Sequence, residues 1–229
     1  MPDVLSDLRG VSMSYGGNDG QASPVLEDVT CRVEAQDRIA VLGPSGSGKS
    51  TLLNLLAGLA APDSGTIGWP ALGSMTDLRP ANVQLVPQTS SLLPALDVLS
   101  NVALPLILIG RDPGTAAHHA ARAMLERFGL DDLAERLPED LSGGQAQRVA
   151  VVRALVVRPR LMLADEPTGQ LDSATAKTFL TTLLDVVEES RAALVVATHD
   201  QRIASRLKKV WLIEHGHLRV QHETEEIKT

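Results

Sequence analysis

Residues 38–59, RIAVLGPSGSGKSTLLNLLAGL, decide the fold. RIAVL is a compact apolar run of strand length, KSTLLNLLAGL has the apolar spacing of a helix that stops near Gly58, and GPSGSGKST joins the two. Strand, glycine loop and helix are the context that gives G-x-x-x-x-G-K-[ST] a physical meaning, and Gly43, Gly48, Lys49 and Ser50 satisfy that pattern. Glycines let successive backbone N–H groups curl around α and β phosphates at the positive end of the helix. Lys49 adds a point charge toward the β and γ phosphates, and Ser50 offers a hydroxyl to Mg²⁺. The bland alternative, a flexible Gly-Ser turn, loses ground once the flanking strand and helix are counted.

Outward from this core, residues 4–15 and 25–33 read as strands separated by the polar, glycine-rich loop GGNDGQASP. Val29, Cys31 and Val33 alternate on one face of the second strand, so the single cysteine reads as a small buried residue. Residues 59–88 are rich in Gly, Pro and Asp and hold the short strands TIGW and VQLV. Residues 96–137 look helical, with Ala117, Ala120, Met124 and Phe128 at helical spacing and Gly129 as a C-terminal cap; His118 and His119 read as a solvated face. A further helix over 142–157 opens on a serine suited to N-capping and ends before Pro159. RLMLA and AALVVAT are apolar runs that flank a helical TAKTFLTTLLDVVEES, and VWLIEHGHLRV forms a hairpin about His215 and Gly216. Strands alternating with helices predict an α/β domain with a mainly parallel sheet, interrupted by a helical insertion near 90–158.

A chain of 229 residues, 44% hydrophobic and 21% charged, buries enough surface to fold without a staple, and no apolar run reaches the roughly 18 to 20 residues of a membrane span. MPDVLSDLRG carries acids early and lacks the basic start and apolar core of a secretory signal, which implies a cytoplasmic protein. One cysteine excludes an intramolecular disulfide. A net charge of −7 and an aromatic content of only 2% argue against nucleic-acid binding and against a base-stacking platform.

Two more stretches carry chemistry. LMLADE, 161–166, ends an apolar strand in two carboxylates, of which Asp165 suits the Mg²⁺ shell and Glu166 suits an attacking water. LSGGQ, 141–145, opens a helix with a serine and two glycines, and their free N–H groups and hydroxyl make a second anion site. SGG alone is no more than a helix cap. Beside a phosphate loop it suggests that the second site serves a nucleotide held by another copy.

With these motifs in order, the chain resembles the ATPase subunits of ABC transporters over nearly its whole length. The resemblance implies a P-loop NTPase core of RecA-like, mainly parallel α/β type with an N-terminal antiparallel β subdomain and an inserted α-helical subdomain, all within one domain of residues 1–229. It implies that Gly43, Pro44, Ser45, Gly46, Ser47, Gly48, Lys49, Ser50 and Thr51 form the Walker A loop. Ser142, Gly143, Gly144 and Gln145 are then the signature, Asp165 and Glu166 the Walker B pair, and Asp172 the D-loop aspartate. Tyr15 would stack on adenine, Gln88 would sense the γ phosphate and Mg²⁺, and His199 would be the switch histidine. Read without the resemblance, these three are a core ring, a surface amide and a strand-end histidine. ATP and Mg²⁺ are the implied ligands, bound between two copies head to tail, and a separate integral membrane permease is the implied partner, holding the chain at the cytoplasmic face of the membrane. NVALPL and LADEPTGQLD are similar to the ATPases of macrolide-export and lipoprotein-release systems. The stretch 65–88 is shorter than in that group, Pro87 stands where an aromatic is common, Ala146 where a polar residue is, and Gln170 where asparagine is usual. Soluble ABC ATPases of DNA repair or translation usually carry coiled-coil insertions or a second cassette, and this chain has neither. A catalytically dead regulatory subunit is at odds with Lys49, Asp165, Glu166 and His199 all being present.

Overall fold

The structure is a computed structural model that describes residues 3–16, 22–89, 91–110 and 115–222. In chain order its elements are β1 (Val4–Gly16), β2 (Ala22–Glu34), β3 (Arg38–Leu42), α1 (Lys49–Leu56), β4 (Ser64–Gly68), β5 (Val83–Val86), α2 (Val98–Leu108) and α3 (Thr115–Arg127). They continue with α4 (Gly143–Leu155), β6 (Leu161–Asp165), α5 (Ser173–Glu189), β7 (Ala193–Thr198), α6 (Gln201–Ala204), β8 (Lys209–Glu214) and β9 (His217–His222). The described residues of Met1–Leu78 and Ala193–Thr229 form one compact unit and those of Arg79–Ala192 a second.

In the first unit β1 pairs antiparallel with both β2 and β4, and β3 lies between β7 and β8 in parallel register, with β9 returning antiparallel on β8. Ile39, Ala40 and Val41 of β3 are wholly buried, as an uninterrupted apolar run requires of a strand covered on both faces. α1 buries Leu52, Leu53, Leu55 and Leu56 and ends in a Schellman motif, with Gly58 N–H on Leu55 O at 3.0 Å and Leu59 N–H on Asn54 O at 2.8 Å. The Trp69 indole donates to a third terminal carbonyl, Leu56 O, at 2.8 Å. Cys31 lies inward between Val29 and Val33, and burial, with a smaller push from Asp7, raises its thiol to about 12. The β8–β9 turn has positive φ at both His215 and Gly216, the type I′ geometry that matches strand twist. Of the expected GGNDGQASP loop, residues 17–21 lie outside those described, while Ala22, Ser23 and Pro24 are the first residues of β2 and pair with β1.

In the second unit β5 and β6 are parallel, with Val86 opposite Ala164. The expected helical stretch 96–137 holds α2, α3 and a short 3-10 turn, Asp131–Leu133, and a second such turn, Pro138–Asp140, lies just past it. The face that α3 buries differs from the expected one. Ala117, Ala121 and Leu125 are buried and lead to Phe128, whereas Ala120 is exposed and Met124 only half-buried. Both stripes satisfy helical spacing. Ala117 and Phe128 belong to both; α3 packs against α2 and α4, and the side that meets them carries Ala121 and Leu125, while the Phe128 ring that follows meets Phe179 of α5 with centroids 5.4 Å apart.

Leu125→Ala should therefore cost about 2–5 kcal/mol of stability in chemical denaturation, while Ala120→Ser should change it by less than about 0.5 kcal/mol. A larger effect at 120 than at 125 would restore the other stripe.

Candidate nucleotide-binding site

The first unit carries the glycine loop. Lys49, in the first turn of α1, is 8% exposed, and its ammonium donates to the carbonyls of Gly43 and Pro44 at 2.9 Å each. Gly48, the residue before the helix, has φ near 105°, and a Cβ there would come within 2.8 Å of the Val25 carbonyl and the Leu26 side chain. Only glycine meets both conditions. α1 has no side-chain N-cap bond and no acid in its first turn, so its positive end is left uncompensated next to a cation. Ser47 adds a buried hydroxyl with no hydrogen-bond partner among the described residues. Ser50 is exposed and Thr51 buried. A pocket of about 490 Å³ is lined by Pro44, Ser45, Gly46 and Ser47, by Pro24 and Val25 of β2, and by the β8–β9 turn. An array of donors around one loop, with a neutralising ammonium, is chemistry for an anion with several oxygens.

Register places His199 beside this loop. Leu42 and Thr198 are opposite one another at the ends of neighbouring parallel strands, so Gly43 and His199 both leave the sheet at its carboxyl edge, where α/β proteins bind ligands. Tyr15 pairs with Ser23, two residues before the Val25 that borders the loop. At 46% exposure its ring is not a core ring.

In the second unit Gln88 and Glu166 likewise follow paired strand ends, each two residues past the Val86–Ala164 pair. Asp165, the last residue of β6, is 7% exposed, and Gln88 is exposed. Glu166 has φ near 48°, a left-handed backbone that costs a non-glycine residue about 1 kcal/mol or more. This conformation starts a tight turn in which Gly169 N–H reaches Glu166 O and Leu171 N–H reaches Thr168 O. The turn ends at Asp172, which caps α5 by accepting from the N–H groups of Ala174 and Thr175 at 3.0 Å. Hydrogen bonding from the Thr175 side chain, then from the two backbone groups, holds the Asp172 carboxyl below its ordinary value.

Ser142 caps α4 in a reciprocal box with Gln145, at 3.2 Å from Gln145 N–H to Ser142 Oγ and 2.9 Å from Ser142 N–H to Gln145 Oε1. This leaves the N–H groups of Gly143 and Gly144 without an intrahelical acceptor. The turn after Glu166 presses on these glycines: a Cβ on Gly144 would lie 2.9 Å from the Gln170 carbonyl, and one on Gly143 would meet the Gln170 carboxamide. At Gly144 the neighbour is backbone, so glycine is needed there for close approach, which the sequence alone does not disclose, whereas the flexible Gln170 side chain can give way at Gly143. Another residue the sequence does not single out is Gln147. It is the one amide in the apolar interior stretch of α4, and it is 1% exposed.

Comparison with known proteins agrees with this geometry. The profile of the family described as ABC transporter matches residues 26–169. The chain is 43% identical to the lipoprotein-releasing system ATP-binding protein LolD of Legionella pneumophila, over 95% of this chain and 98% of that protein. It is 44% identical to the protein of the same name from Pseudomonas fluorescens, over 94% and 97%. Among solved structures, a dimeric post-hydrolysis state of the ATP-binding cassette MJ0796 bound to ADP and Pi superposes with a TM-score of 0.88 at 32% identity, covering 95% of this chain and 98% of that one. The fold is that of the P-loop NTPase cassettes, and the chain belongs to the ABC transporter family as one of its ATP-hydrolysing subunits.

Proposed function

We propose that this chain hydrolyses ATP between two copies of itself, each lending its phosphate loop to one nucleotide and its signature to the other, and that closure of the pair drives a membrane permease. The observation that carries the reading is the presence of two separate phosphate-type sites in one chain. One is the loop held by Lys49. The other is the start of α4, where the bare N–H groups of Gly143 and Gly144 stand beside the Ser142–Gln145 box. One triphosphate needs only one such loop, so the second site finds its use on a nucleotide carried by a partner copy. The relatives' names point to lipoprotein release as the work done. Among the described residues no helix is long and apolar enough to cross a membrane. We place the chain at the cytoplasmic face, held there by its permease. Residues 1–229 are read as one cassette domain, with 90–158 its helical subdomain.

The roles follow from the donor chemistry. Residues 43–51 hold the phosphates through backbone N–H groups and the Lys49 ammonium, and Tyr15 stacks on the adenine. Ser50, Gln88 and Asp165 would hold Mg²⁺. All three offer oxygen, as this hard cation prefers, and the cation when bound neutralises charge on the phosphates. Glu166 accepts a proton from water as the water oxygen attacks the γ phosphorus. The bond from that phosphorus to the bridging oxygen breaks, and ADP departs with the electron pair. His199 hydrogen-bonds the γ phosphate, and Asp172 fixes the turn on which Glu166 begins.

Glu166→Gln should lower turnover by about 10²-fold or more while leaving ATP binding intact, and should accumulate an ATP-bound dimer in size-exclusion chromatography. Near-normal hydrolysis would remove Glu166 from its role. Lys49→Ala should weaken ATP binding in calorimetry by about tenfold or more, the scale of losing charge-assisted hydrogen bonds. For the adenine contact, Tyr15→Ala should cost about 1–3 kcal/mol of ATP affinity, by analogy with base stacking on aromatics, and Tyr15→Phe should cost little. Equal affinities for the two variants would rule out stacking.

A further inference from the structure

α4 begins at the signature, and Gln147 is the one polar residue among those it buries fully. Gln147 is 1% exposed, among Ala146, Val149, Ala150 and Val151, all buried. Its Nε2 donates to the Pro87 carbonyl at 3.3 Å, across 60 positions of sequence, and its Oε1 is buried with no partner among the described residues. Swapping the two amide atoms would set Oε1 against the Pro87 carbonyl oxygen, so the orientation is fixed by chemistry. A second side chain of the same helix, Arg153, grips the chain a little further on, donating to Ser91 O at 2.8 Å and to Ser91 Oγ at 2.5 Å. The two grips lie on either side of Gln88.

On stability alone this glutamine is a poor choice. One long hydrogen bond and one orphaned acceptor leave a buried amide short of full satisfaction, and an apolar side chain of the same length would fill the space without that cost. What the amide supplies is a link. An α-helix is stiff, and about 7.5 Å of it separates Ser142 from Gln147. Whatever displaces Gln88 and Pro87 therefore reaches the Ser142–Gln145 cap through one hydrogen bond and a helical turn.

We propose that Gln147 is a positioning residue for ATP hydrolysis, tying the strand extension that bears Gln88 to the signature helix so that engagement of one nucleotide at Gln88 and of the other at Gly143 and Gly144 occurs together. The proposal rests on the function argued above. Its residue acts through Gln88 and the cap and touches no nucleotide itself.

Two variants separate this role from a merely structural one. Gln147→Met keeps the volume and removes both the bond and the orphan. Gln147→Glu keeps the shape but replaces the donor with an acceptor facing a carbonyl. In the full-length chain, kcat should fall about tenfold in both, within the roughly 2- to 30-fold range of residues that carry coupling. ADP affinity should stay within about twofold of wild type, because the adenine and the α and β phosphates bind elsewhere. Melting temperature should move in opposite directions, at or above wild type for Met and below it for Glu. A Met variant with wild-type turnover overturns the proposal, and so does a lower melting temperature for Met or a turnover that ranks with melting temperature across the three proteins. A wild-type chain that hydrolyses no ATP at all would sink the functional reading, whereas active wild type beside an unaffected Met variant would sink only the tether.

Discussion

Two hydrogen bonds from one ammonium close the phosphate loop on itself. Lys49 reaches back from the first turn of α1 to the carbonyls of Gly43 and Pro44, so the strand end and the helix start are pinned to each other across the glycines. A buried cation needs oxygen partners, and the loop carbonyls of Gly43 and Pro44 supply two. This fixes the direction in which β3 hands over to α1, and with it the seat of α1 on the sheet, the capping of its far end by Trp69, and the edge at which His199 emerges. The left-handed backbone at Gly48 is the cost of that turn, and the pressure of Val25 and Leu26 on it leaves no other residue type available.

The second unit is organised around a comparable economy of backbone. Glu166 takes up a strained conformation directly after β6, and the turn it starts packs Gln170 and Leu171 on the signature glycines before Asp172 begins α5. Five residues therefore connect a carboxylate at a strand end with the N–H groups of a different helix. The caps at Ser142 and Asp172 satisfy part of the donors at their helix starts, and the N–H groups of the two glycines between Ser142 and Gln145 have no acceptor within the helix.

Most of the fold was legible because each feature had a local cause. The β3–loop–α1 unit, the Schellman end at Gly58, the Ser142 cap, the β8–β9 turn and the inward alternation of Cys31 all follow from neighbours in sequence. The α3 stripe was not legible, since Ala120 and Ala121 are chemically identical and only the packing of α3 on α2 and α4 distinguishes the two faces. The same holds for Tyr15, which strand alternation alone leaves as core and which the structure exposes. Gln147, the Gln170 contact and the strain at Glu166 depend on residues brought together by folding, and no spacing rule announces them. At the sequence level the motifs named the chemistry, while the tertiary contacts disclose how one motif is mechanically joined to another.

The scarcity of aromatic residues has an optical consequence. Trp69, Trp211 and Tyr15, the complete set of tryptophans and tyrosines in the chain, belong to the first unit, and the second has only phenylalanines. Ultraviolet emission therefore comes from the half that carries the phosphate loop, with the Trp69 indole resting on the last turn of α1 as a native chromophore. Circular dichroism in the peptide region is weighted instead toward α2, α3, α4 and α5 of the other half. Followed together in a single melt, the two signals report separately on the two halves of the molecule without any added label.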